Sequence, residues 1–424
     1  MVTEKPKKYK EIARCRICGN KNLVSILRLG EQCLSGTFPK TKEQYVTRGP
    51  LELVKCADGN DCCGLVQLRQ SYDSREMYGM NYGYRSGLND SMAAHLRAKT
   101  EKILELVSLR PNDLVVDIGS NDGTLLRAYP EKKALLVGID PVGVKFKNFY
   151  PSHVRLIPDF FSAEDLRANF GARKAKIITS IAMFYDLESP MSFMEAVRDV
   201  LDDDGVWVFE QSYLPAMLSA TAYDSVCHEH LEYYGLKQIK WMTDRAGLEI
   251  INVEFNDVNG GSFSVSVAKP GAKYAKNTAA VEKILTDERR LGLDAMRPYD
   301  EFARRAQERK EQLLSLLHKI AARGETVFGY GASTKGNVLL QICGLTEKDI
   351  PFIAEINADK FGAYTPGTHI PIIRDTEALA KRPDYLLVLP WHFRESIVER
   401  ERAYLNAGGK LIFPLPFPEV FPAN

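Results

Sequence analysis

Leu114-Val115-Val116-Asp117-Ile118-Gly119-Ser120-Asn121-Asp122-Gly123 is the stretch on which the fold of this chain turns. Leu114–Ile118 is a short apolar run, the mark of a strand buried on both faces of a sheet. The Gly-rich turn after it opens a helix. Its glycines let backbone approach a ligand, and the first turn of the helix offers N–H groups with no partner of their own. Similar units follow downstream. Leu135–Ile139 reads as a second strand ending at Asp140, Arg155–Ile157 as a short third, Lys176–Ser180 as a fourth and Val206–Phe209 as a fifth. Phe263–Val267 reads as a later, antiparallel strand, and 91–109 has helical character. Strands alternating with helices predict an α/β fold with a parallel, doubly wound sheet.

The turn departs from the dinucleotide fingerprint GxGxxG. It reads Asp117-x-Gly119-x-x-x-Gly123, with Asn121 at its centre, and this DxGxxxG form is the one used for S-adenosylmethionine. Asp140 stands about 20 residues further on, where a carboxylate accepts both ribose hydroxyls. Asp159-Phe160-Phe161 follows the third strand and is placed to flank an adenine. Ser180, closing the fourth strand, is counted with this cofactor set.

Outside this core the chain divides. Residues 1–71 are short on helical pattern and read as a small module. Residues 72–270 hold the nucleotide-fold core, entered through a Tyr- and Gly-rich loop at 72–90 that reads as an ordered functional loop. Residues 271–320 are charged and helix-prone and read as a connecting helical hairpin. Over 321–424 the strand–turn–helix pattern restarts, with strands at Thr326–Tyr330, Pro351–Ala354, Tyr385–Leu389 and Lys410–Ile412, which predicts a second, smaller nucleotide-fold domain.

Six of the eight cysteines lie in the first 63 residues. In a reducing compartment such a cluster reads as a metal site rather than as disulfides. Cys15-x-x-Cys18 has zinc-knuckle spacing, and the second pair comes from Cys56 with Cys62 or Cys63. Four thiolates make a closed structural zinc site. Lys plus Arg number 56 against 55 Asp plus Glu, so no basic field points to nucleic acid. No apolar run approaches the roughly 20 residues of a membrane span. The charged N-terminus lacks the apolar core of a signal peptide, which makes the cytoplasm the default.

Two further segments carry chemistry. Cys227-His228-Glu229-His230 holds two of the seven histidines. Its spacing is not the HExxH of zinc proteases. A strand would put His228 and His230 on one face, whereas a loop could converge all three. Enolising a carbon beside a ketone needs a base titrating near the operating pH, which suits His. Gly329-Tyr330-Gly331-Ala332-Ser333-Thr334-Lys335-Gly336-Asn337 follows a strand and starts a helix. It supplies N–H groups, hydroxyls and one Lys, which suit a phosphate, yet it does not match GxxxxGK[ST].

Taken together, CRIC at 15–18, CGLVQL at 63–68, DIGSNDG at 117–123, HEHLEYY at 228–234, GYGASTKGN at 329–337 and YTPGTHIPI at 364–372 resemble the sugar C-methyltransferases of unusual deoxysugar biosynthesis, over nearly the whole chain. The resemblance implies a class I S-adenosylmethionine-dependent methyltransferase core with a Rossmann-like fold, a small N-terminal zinc module and a C-terminal Rossmann-like domain. It implies methylation of a ring carbon, usually C3, of a dTDP- or GDP-linked 4-keto-6-deoxyhexose by a monomer or homodimer. Carried over by position, it implies Cys15, Cys18, Cys56 and Cys63 as zinc ligands and Asp117, Gly119 and Asp140 around the methyl donor. His230 is implied as general base with Glu229 assisting and His228 beside them, and Tyr82 or Tyr84 as reaching the substrate. Ser333, Thr334 and Lys335 face the sugar nucleotide's phosphates, with Tyr330, Asn337, Glu355 and His392 counted in the same substrate set. The chain departs from some relatives at Cys227, where they have Tyr, and at Met183-Phe184-Tyr185-Asp186, where they have His and Tyr185 is the polar substitute. The alternatives are an NAD-dependent nucleotide-sugar dehydrogenase or epimerase, against which the missing GxGxxG speaks, and a non-catalytic zinc-bearing binding protein.

Overall fold

Side chains along Leu114–Ile118 alternate between two apolar clusters, with Leu114, Val116 and Ile118 in one and Val115 in the other. All five residues are buried. The same alternation recurs four strands later, where Trp207 and Phe209 join the first cluster and Val206 and Val208 the second. Layers of helix on both faces are what such strands require. These features come from a computed structural model, which describes residues 8–423 except Asn60, Met80, Asn81 and Lys132.

The central sheet contains β1 (Leu114–Ile118), β2 (Leu135–Ile139), β3 (Val154–Ile157), β4 (Ala175–Ile181), β5 (Leu201–Ser212), β6 (Glu249–Asn256) and β7 (Ser262–Ala268). Their order is β6-β7-β5-β4-β1-β2-β3. The first five strands are parallel. β7 runs antiparallel to both β5 and β6. Strand order reverses between β1 and β4, so a ligand crevice is expected at the carboxyl ends of these strands.

A second sheet is built from β8 (Val327–Tyr330), β9 (Ile353–Glu355), β10 (Ile372–Arg374), β11 (Tyr385–Val388), β12 (Lys410–Phe413) and β13 (Glu419–Phe421). Its order is β10-β9-β8-β11-β12-β13, parallel except for β13. Two helices join the sheets. Thr278–Arg290 lays Val281 and Ile284 on the first core, and Arg297–Ala322 sets Phe302 and Leu313 into clusters shared with the second sheet.

The N-terminal module is an antiparallel sheet of Leu23–Cys33, Arg48–Cys56 and Val66–Leu68. Its fourth strand comes from far along the chain: Glu232–Tyr233 pairs with Gln67 and Val66. The segment just after His230 is therefore fixed to the module that carries the cysteines. One apolar cluster contains Leu53 and Val66 of the module, Tyr223 and Cys227 before the histidines, and Phe328 and Trp391 of the C-terminal region. Among the described residues no helix is long and apolar enough to cross a membrane.

Candidate active site

A cavity of about 330 Å³ opens at the carboxyl ends of β1, β2, β4 and β5. Asp117, Gly119, Asn121, Asp140, Asp159, Phe160 and Phe161 line it together with Tyr78, Tyr82 and Tyr84 of the Tyr-rich loop. Gly119 has φ +76°, left-handed backbone that glycine adopts at no steric cost. Asp117 accepts a 2.6 Å hydrogen bond from Thr179 Oγ1, and burial pushes its carboxyl up to about 7. Asp140 accepts from the backbone N–H of Asn121 and of Val142, at 2.7 Å each, and so sets the shape of the turn. The Asn121 side chain bridges to the Tyr-rich loop, accepting from Ser86 N at 2.9 Å and donating to Tyr84 O at 3.2 Å. Two residues of the sequence set lie outside the lining. Gly123 packs on the Tyr150 ring, and Ser180 accepts from Trp207 Nε1 at 3.1 Å beneath the sheet.

The charge of the wall is one-sided. It carries Asp117, Asp140, Asp159, Asp186, Glu188 and Glu210, and none of its described residues is Lys, Arg or His. Glu210 is already paired, to His95 Nε2 at 2.6 Å and Lys99 Nζ at 2.8 Å. A carboxylate-lined pocket suits a ligand with sulfonium and ammonium charges and opposes the pyrophosphate of a dinucleotide. The donor set therefore fits S-adenosylmethionine.

The His-Glu-His segment is a turn, and the structure parts its side chains rather than converging them. His228 is fully buried, with Nδ1 3.2 Å from Ser35 Oγ and its ring edge-on to Tyr72 at 4.7 Å. Glu229 accepts from the same hydroxyl at 3.4 Å, and burial raises its carboxyl. Its carboxylate lies over Gly36, where an added Cβ would come within 2.2 Å of Oε1. His230 turns the other way, edge-on to Tyr185 at 4.4 Å. Its Nδ1 lies 3.1 Å from Ser225 O, so Nδ1 carries the proton and Nε2 the lone pair. Burial and the nearby ammonium of Lys335 lower its pKa to about 3.

The C-terminal Gly-rich turn reaches this place. Lys335 Nζ donates to Asn259 O at 3.1 Å, and Asn259 lines the cavity. Burial lowers the Lys335 ammonium, whereas Asp224 supports it. Asp224 is held by Trp391 Nε1 at 2.7 Å. His392 is close enough to Lys335 to be pushed well below its ordinary range, chiefly by burial. Asn337 donates to Ser35 O at 2.7 Å, which links this turn to the support of Glu229. Ser333 caps the helix through Gly336 N at 3.0 Å, and Thr334 stands near Gly36. Tyr330 points to Glu401, its hydroxyl donating at 2.5 Å. Glu355 accepts from Ala332 N at 2.8 Å and from Ile356 and Asn357 N–H, so it shapes the turn as Asp140 shapes the first one. Reading the sequence did not single out Ser35, Tyr78, Asp186 or Gln211. No local motif marks them.

Comparison with known proteins identifies the family. Family models described as a zinc binding domain, a methyltransferase domain and a C-methyltransferase C-terminal domain match residues 15–78, 91–253 and 257–416. The C-methyltransferase NovU of Streptomyces niveus is 31% identical over 418 residues, covering 97% of this chain and 98% of that protein. The chain belongs to the C-methyltransferase family. As an S-adenosylmethionine-dependent C-methyltransferase it leaves the dehydrogenase and scaffold readings without support. Among solved structures, an S-adenosylmethionine-dependent methyltransferase from Clostridium acetobutylicum is 15% identical over 43% of this chain and 93% of its own, with TM-score 0.34. The CcbJ methyltransferase from Streptomyces caelestis is 13% identical over 41% and 89%, with TM-score 0.33. In the zinc-binding region the sulfurs of Cys15, Cys18, Cys56 and Cys63 lie within 4.8 Å of one another.

Proposed function

We propose that this C-methyltransferase methylates a ring carbon, C3, of a dTDP- or GDP-linked 4-keto-6-deoxyhexose through an enolate formed by His230. One observation carries the reading: Lys335 donates to Asn259 O at 3.1 Å on the rim of the carboxylate-lined cavity, and its ammonium lies within electrostatic reach of His230. A cationic donor belongs in the cavity and an anionic acceptor belongs against Lys335, within electrostatic reach of His230. When bound, S-adenosylmethionine supplies an electrophilic methyl group. Asp117, Gly119 and Asp140 hold it, and Phe160 and Phe161 flank its adenine. His230 Nε2 takes the proton beside the ketone, while Ser225 O keeps the ring in the required tautomer. Ser333, Thr334 and Lys335 face the diphosphate. Cys15, Cys18, Cys56 and Cys63 hold a structural zinc outside the chemistry.

A pH signature follows. Protonated His230 is no base, so activity falls as pH drops through its pKa. In the free enzyme burial and Lys335 hold that pKa near 3. A diphosphate bound against Lys335 offsets its repulsion of the imidazolium, which raises the pKa. The acid limb of kcat, which reports the complex, should then lie at higher pH than that of kcat/KM, which reports free enzyme. Superposed limbs would count against a substrate anion at Lys335.

Asp140→Ala should weaken S-adenosylmethionine binding roughly 10–100-fold, since hydrogen bonds to a charged group are each worth about 1.5–3 kcal/mol. Calorimetry showing unchanged affinity would remove Asp140 from the donor site. For the reaction itself the decisive measurement is mass spectrometry after incubation with the methyl donor and dTDP- and GDP-4-keto-6-deoxyhexoses. A product heavier by one CH₂, and solvent deuterium entering the carbon beside the ketone, are the expected results. No methylated product from either panel sinks the sugar reading.

A further inference from the structure

Gln211, the next-to-last residue of β5, lines the cavity and is 1% exposed. Neither its Nε2 nor its Oε1 finds a hydrogen-bond partner among the described residues. Its neighbour Glu210 is fully engaged by His95, Lys99 and Asn256, so the two carbonyl-bearing side chains on successive residues differ in what they are for. The Glu210 side of the strand is a structural ion-pair cluster. The Gln211 side offers two amide donors and an acceptor to whatever occupies the cavity. Asp186, just beyond β4, also lines the cavity, as does Tyr78, and has an unpartnered Oδ1. Asp186 follows Tyr185, whose ring packs on His230 and whose carbonyl accepts from Leu231 N at 2.8 Å.

The position within the cavity separates these groups from the donor site. The residues that shape the donor end come from the ends of β1 and β2. Gln211 lies on the other side of the point where strand order reverses, in the wall that also holds Asn259 and Ser262. Asn259 is the residue that Lys335 touches. Gln211 therefore stands between the donor end and the ammonium expected to meet the acceptor's anionic part.

We infer that Gln211, in the same cavity wall as Asp186, reads the oxygen functions of the methyl acceptor: its Nε2–H groups meet the ketone oxygen that becomes the enolate, and its Oε1 accepts from a hydroxyl on an adjacent carbon. The class so recognised is an α-hydroxy ketone carried on a compact ring. A buried amide with no protein partner discriminates strongly against a ligand that lacks the matching group, because that ligand leaves the amide unsatisfied. The assignment rests on the keto-sugar reading above and adds the residue that recognises its oxygens.

The test uses full-length wild-type enzyme, Gln211→Leu and Gln211→Glu with the dTDP- and GDP-linked 4-keto-6-deoxyhexoses. The Glu variant keeps the shape and an acceptor but loses the donors, so it covers the case in which the Leu variant fails to fold. Both variants should lose kcat/KM roughly 10²-fold or more, the scale of a lost oxyanion donor. Solvent-deuterium exchange at the carbon beside the ketone should slow in step, whereas S-adenosylmethionine affinity stays at the wild-type value in whichever variant folds. Wild-type turnover with kcat/KM unchanged in the variants overturns the inference alone. Equal losses of donor affinity and turnover overturn it as well, by making Gln211 part of the donor site. Wild-type enzyme that methylates neither sugar overturns the keto-sugar reading, and the proposed acceptor falls with it.

Discussion

His230→Ala lowers kcat by roughly 10²–10⁴-fold, the contribution of a positioned general base, and leaves the affinity for S-adenosylmethionine unchanged. The separation of the two effects comes from the geometry. His230 is not in the wall of the carboxylate-lined cavity, so its loss takes nothing from the donor site. It is held from outside, by Ser225 O on Nδ1 and by the Tyr185 ring. His228→Ala has a different signature. That ring is sealed between Ser35 and Tyr72, so its removal leaves a hole and takes one partner from the Ser35 hydroxyl that supports Glu229. Lower thermal stability should accompany whatever activity is lost there. Steady-state kinetics, calorimetry and thermal melts on both variants separate base from support. Near-normal turnover in His230→Ala ends the case for it as the base.

How much of this was readable from the chain depends on sequence distance. The first βα unit and Asp140 sit within 27 residues (114–140), and their chemistry is local: a strand, a turn with Gly at a left-handed position and a carboxylate at the next strand end. The repeat of that design at Gly329–Asn337 was equally plain, although the role of Glu355 in pinning its turn was not. β6 escaped because an edge strand keeps polar, half-exposed residues along its length, which blurs the two-residue period. β10 and β13, at three residues each, are too short to show a period at all. The partition of His228 and His230 between two environments had no local signal. Ser35 lies 193 residues from His228, and Asn337 lies 302 residues from Ser35. Gln211 looked like any strand end, because only the assembled cavity reveals that its amide has nothing to bind. Adjacent Cys62 and Cys63 could not be told apart by spacing. Folding separates them by burial, with Cys63 inside the core cluster and Cys62 partly exposed at its edge.

Removing the metal site should abolish activity although the proposed role of the zinc is structural. Four thiolates in this arrangement make a closed tetrahedral site, with zinc–sulfur distances near 2.3 Å and sulfurs about 3.8 Å apart; Cys15 and Cys63 already stand at 3.4 Å and Cys18 and Cys56 at 3.5 Å. Cys15, Cys56 and Cys63 share an apolar cluster with Leu236 and Ile239, and Gln238 Nε2 donates to Cys63 O at 2.9 Å. Arg16, inside the knuckle, donates to Leu68 O at 2.6 Å and Ser71 Oγ at 2.8 Å, and its Nε lies 3.5 Å from Glu232. Glu232 opens the two-residue strand that completes the module's sheet just after His230. A bound metal would therefore fix the knuckle, while the knuckle's Arg16 holds Val66–Leu68 and that strand holds the chain just after His230. Apparent zinc binding energies of about 10–16 kcal/mol in isolated zinc peptides match or exceed the roughly 5–15 kcal/mol that holds a whole domain together. Cys63→Ser should thus lose its zinc, melt at a lower temperature and lose turnover in proportion to zinc lost. Cys62→Ser should keep the metal, because the Cys62 sulfur, although 3.4 Å from Cys56, is outside the group of four. Zinc content by elemental analysis, thermal melts and turnover on the same preparations decide the matter. A zinc-free enzyme with full turnover, or a Cys63→Ser variant that retains one zinc per chain and melts normally, overturns this chain of support.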